Sequence, residues 1–114
     1  MFTATMWCDI QLGDVGSLKM KRSVVRPIVA ELRRRYDVAA AEVGAHDLHR
    51  RTEIGVAAVA STAGQVGDVL DACERFVAAR PGIVLLSVRR QLFSYTDDPV
   101  GSTVPATDED LSDG

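Results

Sequence analysis

Aromatic residues are scarce in this chain: one Trp, two Tyr and three Phe make up 5% of its 114 positions. A sheet that stacks nucleobases needs aromatics on its central strands, and only Trp7 stands on a segment suited to that use. Cysteine is equally thin. Cys8 and Cys73 lie far apart in apolar surroundings, which reads as two small buried hydrophobes in a reducing compartment and not as a disulfide. A zinc site would want more ligands at closer spacing. No apolar run approaches the roughly 20 residues that cross a bilayer, so no membrane partner is expected. The opening MFTATMWCDI lacks the positive start and long apolar core of a secretion signal, and a cytoplasmic location is the default expectation. Serine elbow, glycine-rich phosphate loop and HExxH are all missing. Neither an enzyme nor a cofactor is expected.

Positive charge is lacking in one region in particular. From Asp97 onward the chain has six acids and no Lys or Arg. This leaves ten acids against 13 bases in residues 1–96, so a chain of net charge −3 contains a mildly basic body. The stretch DDPVGSTVPATDEDLSDG is also rich in Pro, Ser, Thr and Gly. It offers too little apolar surface to offset its ordering entropy, and residues 97–114 are expected to be a disordered acidic tail. The remainder is the length of one domain.

What is present is a clean alternation of patterns. In FTATMWCDIQL (2–12), Phe2, Ala4, Met6, Cys8, Ile10 and Leu12 share one face, which predicts a strand committed to a core. GDVGS breaks it. Val25, Ile28, Val29, Leu32 and Tyr36 recur at helical spacing. Pro27 belongs in a first turn, so Ser23 is the expected cap, 17–22 a loop, and 23–36 the helix. DVAAAEVG (37–44) reads as a second strand, AHDLHRR as a polar connection, and TEIGVAAVA (52–60) as a central strand, apolar on both faces. Ser61 or Thr62 caps a second helix whose stripe is Val66, Val69, Leu70, Cys73, Phe76 and Val77. Pro81 and Gly82 end it, and IVLLSVRRQLFSY (83–95) is the fourth strand.

The order βαββαβ predicts an α+β, ferredoxin-like two-layer sandwich over residues 1–96: an antiparallel four-stranded sheet with both helices on one face. One sheet face is then bare. Ala57 and Val59 with Trp7 form a candidate surface for an oligomer or partner, because exposed apolar patches mark contacts. With no aromatic on the third strand to answer Trp7, sheet-to-sheet homo-oligomerisation is expected over base stacking.

The second candidate site is the cluster Lys19, Lys21, Arg22 and Arg26 in SLKMKRSVVRP (17–27). Bases at a helix N-terminus oppose the macrodipole, so they are candidates for holding an anion such as an RNA backbone. Arg33, Arg34 and Arg35 sit where the dipole favours cations and need no function. His46, Asp47, His49 and nearby Glu42 read as loop polarity and not as metal ligands, with Asp47 capping a turn or pairing with Arg51.

Three strings taken together resemble the YlxP-like family of small bacterial proteins of unknown function: SLKMKRSVVRPIVAELRRRYDV, AEVGAHDLHRRTEIGVAAVA and VLDACERFVAARPGI. They match in order and spacing and extend over about residues 1–92. Met20 stands where that family tends to carry an acid, and His49 where it often has an aromatic. The resemblance implies a ferredoxin-like fold. It also implies a link to RNA, because family genes often lie beside those for translation initiation and ribosome maturation factors. The leading expectation is therefore an RNA- or ribosome-associated binding module. The alternatives are an oligomeric scaffold or protein-interaction module without nucleic acid, and a small-molecule sensor by analogy of fold. Opposite charges on one short chain suggest that the acidic tail competes with RNA for the basic cluster.

Overall fold

The computed structural model describes residues 1–95; the acidic tail and the domain boundary at residue 96 lie outside the described residues. Six elements follow in the expected order: β1 (Phe2–Leu12), α1 (Leu18–Tyr36), β2 (Ala39–Gly44), β3 (Arg51–Ala60), α2 (Ala63–Ala78) and β4 (Ile83–Ser94). The strands form one antiparallel sheet in the order β2-β3-β1-β4, and both helices contribute to a single core. This is the ferredoxin-like sandwich.

Alternation decides which face of the sheet is covered. Ala4, Met6, Cys8, Ile10 and Leu12 of β1 are buried, and opposite them Thr52, Ile54, Val56 and Ala58 of β3. Against that layer α1 sets Val25, Ile28, Val29 and Leu32, and α2 sets Val66, Leu70, Cys73 and Val77. Each large aliphatic side chain buried in this way contributes about 1.5–3 kcal/mol. Thr62 caps α2, its side chain accepting from the Gln65 amide at 3.1 Å. From β4, Arg90 reaches back to Asp71 and Glu74 of α2, 2.8 Å from each, and ties the outer strand to the helix layer.

The starts of α1 and β2 depart from the sequence reading. Helix α1 begins at Leu18, not near residue 23, and its cap is Ser17, whose hydroxyl accepts from the Met20 amide at 3.1 Å. Pro27 consequently lies inside the helix. The backbone bond it forgoes would have gone to Ser23, and both residues are exposed, so water can serve the orphaned carbonyl on the outer side of the helix. The extra turn brings Lys21 into the interior, and that contact outweighs the proline penalty. At the other end, Asp37 caps α1 in the left-handed region (φ 55°), which Asp tolerates. Strand β2 therefore starts at Ala39 and not at residue 37.

Both thiols are fully buried and free. Burial, reinforced by Glu74 and Cys73, pushes the Cys8 thiol up to about 11, and burial raises Cys73 as well. Since the thiolate is the reactive form, a disulfide-exchange reagent at pH 7.5 should titrate no thiol promptly in native protein and two after denaturation. A fast thiol in the native state would contradict this packing.

Candidate functional site

Lys21 departs most from its expected role. It was grouped with Lys19, Arg22 and Arg26 as an anion-binding candidate, but it is 2% exposed. Its Nζ lies 3.0 Å from Glu42 Oε2 on β2. It also donates to the Ala45 carbonyl at 2.6 Å and the His46 carbonyl at 3.4 Å. Thr52 Oγ1 donates to the same Glu42 oxygen at 2.7 Å. Partial burial works to raise the Glu42 pKa, but the hydrogen bonds from Thr52 and Lys21 and the Lys21 charge outweigh it, so the carboxyl titrates below its usual range. Ala45 itself holds φ 58°, a conformation that costs a non-glycine residue about 1–2 kcal/mol. The lysine grips this strained turn through its carbonyl. Lys21 is therefore a structural residue that fixes α1 to the β2–β3 connection, and it is withdrawn from the anion-binding set.

The other three remain exposed, and the longer helix gives them a fourth companion. At about 100° per residue, Lys19, Arg22, Arg26 and Arg33 fall within an arc of about 60° along about 21 Å of α1. No salt bridge engages any of the four among the described residues. Arg22, Arg26 and Arg33 line one groove of about 560 Å³ between α1 and β2, with Val25, Val29, Ala41 and the Lys21–Glu42 pair beside them. Arg33 Nε also donates to the Ala40 carbonyl at 2.9 Å. The sequence reading assigned Arg33 to the helix dipole alone. Its seven-residue spacing from Arg26 lies within the helix expected over 23–36 and is the signal that places the two on one side; Lys19 and Arg22 join them only when 18–22 is helical. The neighbouring arginines are otherwise engaged: Arg34 pairs with Glu31 at 2.8 Å, and Arg35 lies 5.4 Å from the rings of both Tyr36 and Phe76.

The open sheet face carries Trp7, Ala57 and Val59 as expected, with Val43 and Phe93 also exposed there. Trp7 is half-buried within its own chain. Its indole N–H donates to Glu53 at 2.9 Å, and the Arg89 guanidinium lies 4.2 Å from the ring centre. Stacked by Arg89, the ring is partly covered without any second molecule. In the 45–51 loop, Arg51 pairs with Asp9 and not with Asp47. Glu42 is held by Lys21 and Thr52, and no group of three metal-binding side chains converges among the described residues. No described helix is long and apolar enough to cross a membrane.

A family profile described as "Protein of unknown function (DUF503)" matches residues 3–90. The chain belongs to this family. Its relatives include the uncharacterized protein YlxP of Bacillus subtilis (strain 168), 33% identical over 86 residues, which covers 75% of this chain and 94% of YlxP. Among solved structures, a mutant of SnoaB, a cofactor-independent oxygenase from Streptomyces nogalater, aligns with a TM-score of 0.41 at 11% identity, over 86% of this chain and 96% of that one.

Within this DUF503 chain, replacing Lys21 by Met leaves the Glu42 charge half-buried and unpaired. The expected loss is about 2–3 kcal/mol, below the full cost of breaking a buried pair because Glu42 keeps some water. A carboxyl whose folded pKa is depressed contributes stability above its unfolded pKa of about 4.3 and loses it as pH falls through the folded value. Urea midpoints should therefore show the whole Lys21→Met deficit at pH 7 and a smaller one at pH 3.5. A deficit independent of pH would show that the ion pair is not its source.

Proposed function

We propose that this DUF503 protein is a small binding module, not an enzyme, and that it holds an RNA backbone along the Lys19–Arg22–Arg26–Arg33 stripe. The observation that carries the reading is the alignment of these four exposed cations on one line of α1, engaged in no salt bridge among the described residues; the carboxylate in the groove beside them, Glu42, is held by Lys21. Lys19 sits in the first turn, where it opposes the macrodipole, and Arg22 and Arg26 lie one turn apart, where like charges repel. The first turn contains no acid to compensate. Such an arrangement is unfavourable for the isolated domain and favourable once phosphates lie against it. The ribosome, toward which the family resemblance points, is the RNA proposed. Sequence-selective readout is not part of the proposal, since backbone contacts position a strand without reading it.

A second reading rests on a separate surface. Val59 is 68% exposed, Val43 50% and Phe93 45%, an apolar grouping on the bare sheet that a copy of the chain would cover.

Titration of a fluorescent oligouridine across a salt series tests the first reading. Four neutralised phosphates on a single strand predict a log–log slope of about −2.8. Arg22→Gln and Arg26→Gln should each reduce its magnitude by about 0.7, while Arg89→Gln, on the open sheet beside Trp7, should leave it unchanged. Affinity that stays flat with salt would end the proposal. For the second reading, light scattering at tens of micromolar should give a multiple of 12.3 kDa, and Val59→Lys should return it to one. A wild-type monomer removes that reading.

A further inference from the structure

The groove between α1 and β2 is shaped for something narrower than a folded partner. Its polar rim is Arg22, Arg26 and Arg33, and the Lys21–Glu42 ion pair also lines it, so that four cations face one carboxylate. Its apolar side is Val25, Val29 and Ala41, and one wall is β2, the outermost strand of the sheet. An extended acidic segment suits that combination: carboxylates for the guanidinium rim, and small apolar side chains such as Val, Ala and Pro for the floor. Arg is the residue that recognises carboxylates in a bidentate fashion.

This chain contains one segment of that composition. Residues 97–114 carry Asp97, Asp98, Asp108, Glu109, Asp110 and Asp113, no Lys or Arg, and the apolar residues Val100, Val104, Pro105 and Ala106 between the acids. We propose that the groove is the docking site of the protein's own C-terminal segment, with the run Asp108–Glu109–Asp110 placed against Arg22, Arg26 and Arg33.

Reach permits it. The chain leaves β4 beside Phe2 on β1, whereas Ala41 in the groove lies level with Gly55 and Trp7. Three strand spacings across the sheet make about 14 Å, and five residues along it about 17 Å. A detour to the helix side brings the path to roughly 35 Å. The 13 residues from Tyr95 to Asp108 can extend to about 43 Å. A tether of this length acts at an effective concentration near the millimolar range, so the docked form predominates once the contacts together are worth a Kd below about 1 mM. The device uses the groove assigned above to RNA but does not depend on RNA binding: the segment would compete with any polyanion there.

The test contains no RNA. Backbone amide spectra of the full 15N-labelled chain are compared between wild type and the triple variant Asp108→Asn, Glu109→Gln, Asp110→Asn at low ionic strength. Differences are expected at Arg22, Arg26, Arg33 and Ala40–Glu42, with the Trp7 indole N–H unmoved. They should be independent of protein concentration and vanish at 1 M salt. Adding Arg22→Gln and Arg26→Gln to both chains should erase them. No difference at the groove, a difference centred on Arg35, Arg75 and Arg80 or on the open sheet, or one that grows with protein concentration would each overturn the proposal. If the oligouridine of the preceding section binds, the triple variant should bind it about two- to tenfold more tightly. An unchanged affinity despite groove shifts would overturn the competition while leaving the docking.

Discussion

The buried ammonium of Lys21 is the constraint on which the rest of the arrangement depends. A cation that deep must find its carboxylate, and Glu42 on β2 is the one in reach at 3.0 Å. To bring it there the chain has to be helical by residue 21, and so the helix starts at Leu18 and accepts an internal proline. The same rotation that turns Lys21 inward turns Lys19, Arg22 and Arg26 outward, about 100–160° around the helix from it. One internal ion pair therefore sets the helix start, the shape of the β2–β3 turn through Ala45, and the line on which the surface cations fall.

Most of the architecture was legible in the sequence because its signals are local and redundant. Strict alternation in β1, the small residues of β3 and the cap at Thr62 each specify one element, and right-handed crossovers then leave little choice of topology. The start of α1 was not legible. Pro27 is a strong local signal, whereas the force that overrules it is a contact between residues 21 positions apart, Lys21 and Glu42, which no periodicity announces. The error carried over to the site. With 17–22 read as a loop, Lys21 counts among the surface bases and Lys19 and Arg22 have no fixed direction relative to Arg26 and Arg33.

Charge is distributed unevenly around the two helices, for different physical reasons. At the C-terminal ends, Arg35 and Arg80 lie over Phe76, where helix dipoles and aromatic faces both favour a cation; their presence is explained by the fold. Along the first half of α1 the cations meet neither advantage. In the first turn the dipole favours an acid over Lys19, and Arg22 and Arg26, four residues apart, repel each other. The open sheet differs again: Arg89 over Trp7 and Arg51 with Asp9 engage its charged groups internally, and Thr5, Gln91, Val59 and Phe93 are left toward solvent as a mixed, uncharged surface.

Arg33 stands at the junction of two tasks. Its Nε occupies a backbone acceptor of β2, the strand with no neighbour on its outer side, and a charged side chain placed there discourages foreign strands from extending the sheet. The guanidinium also belongs to the groove rim. Any anion that draws it away uncovers an alanine-rich edge. Occupancy of the groove and protection of that border against aggregation are thus set against each other through a single side chain.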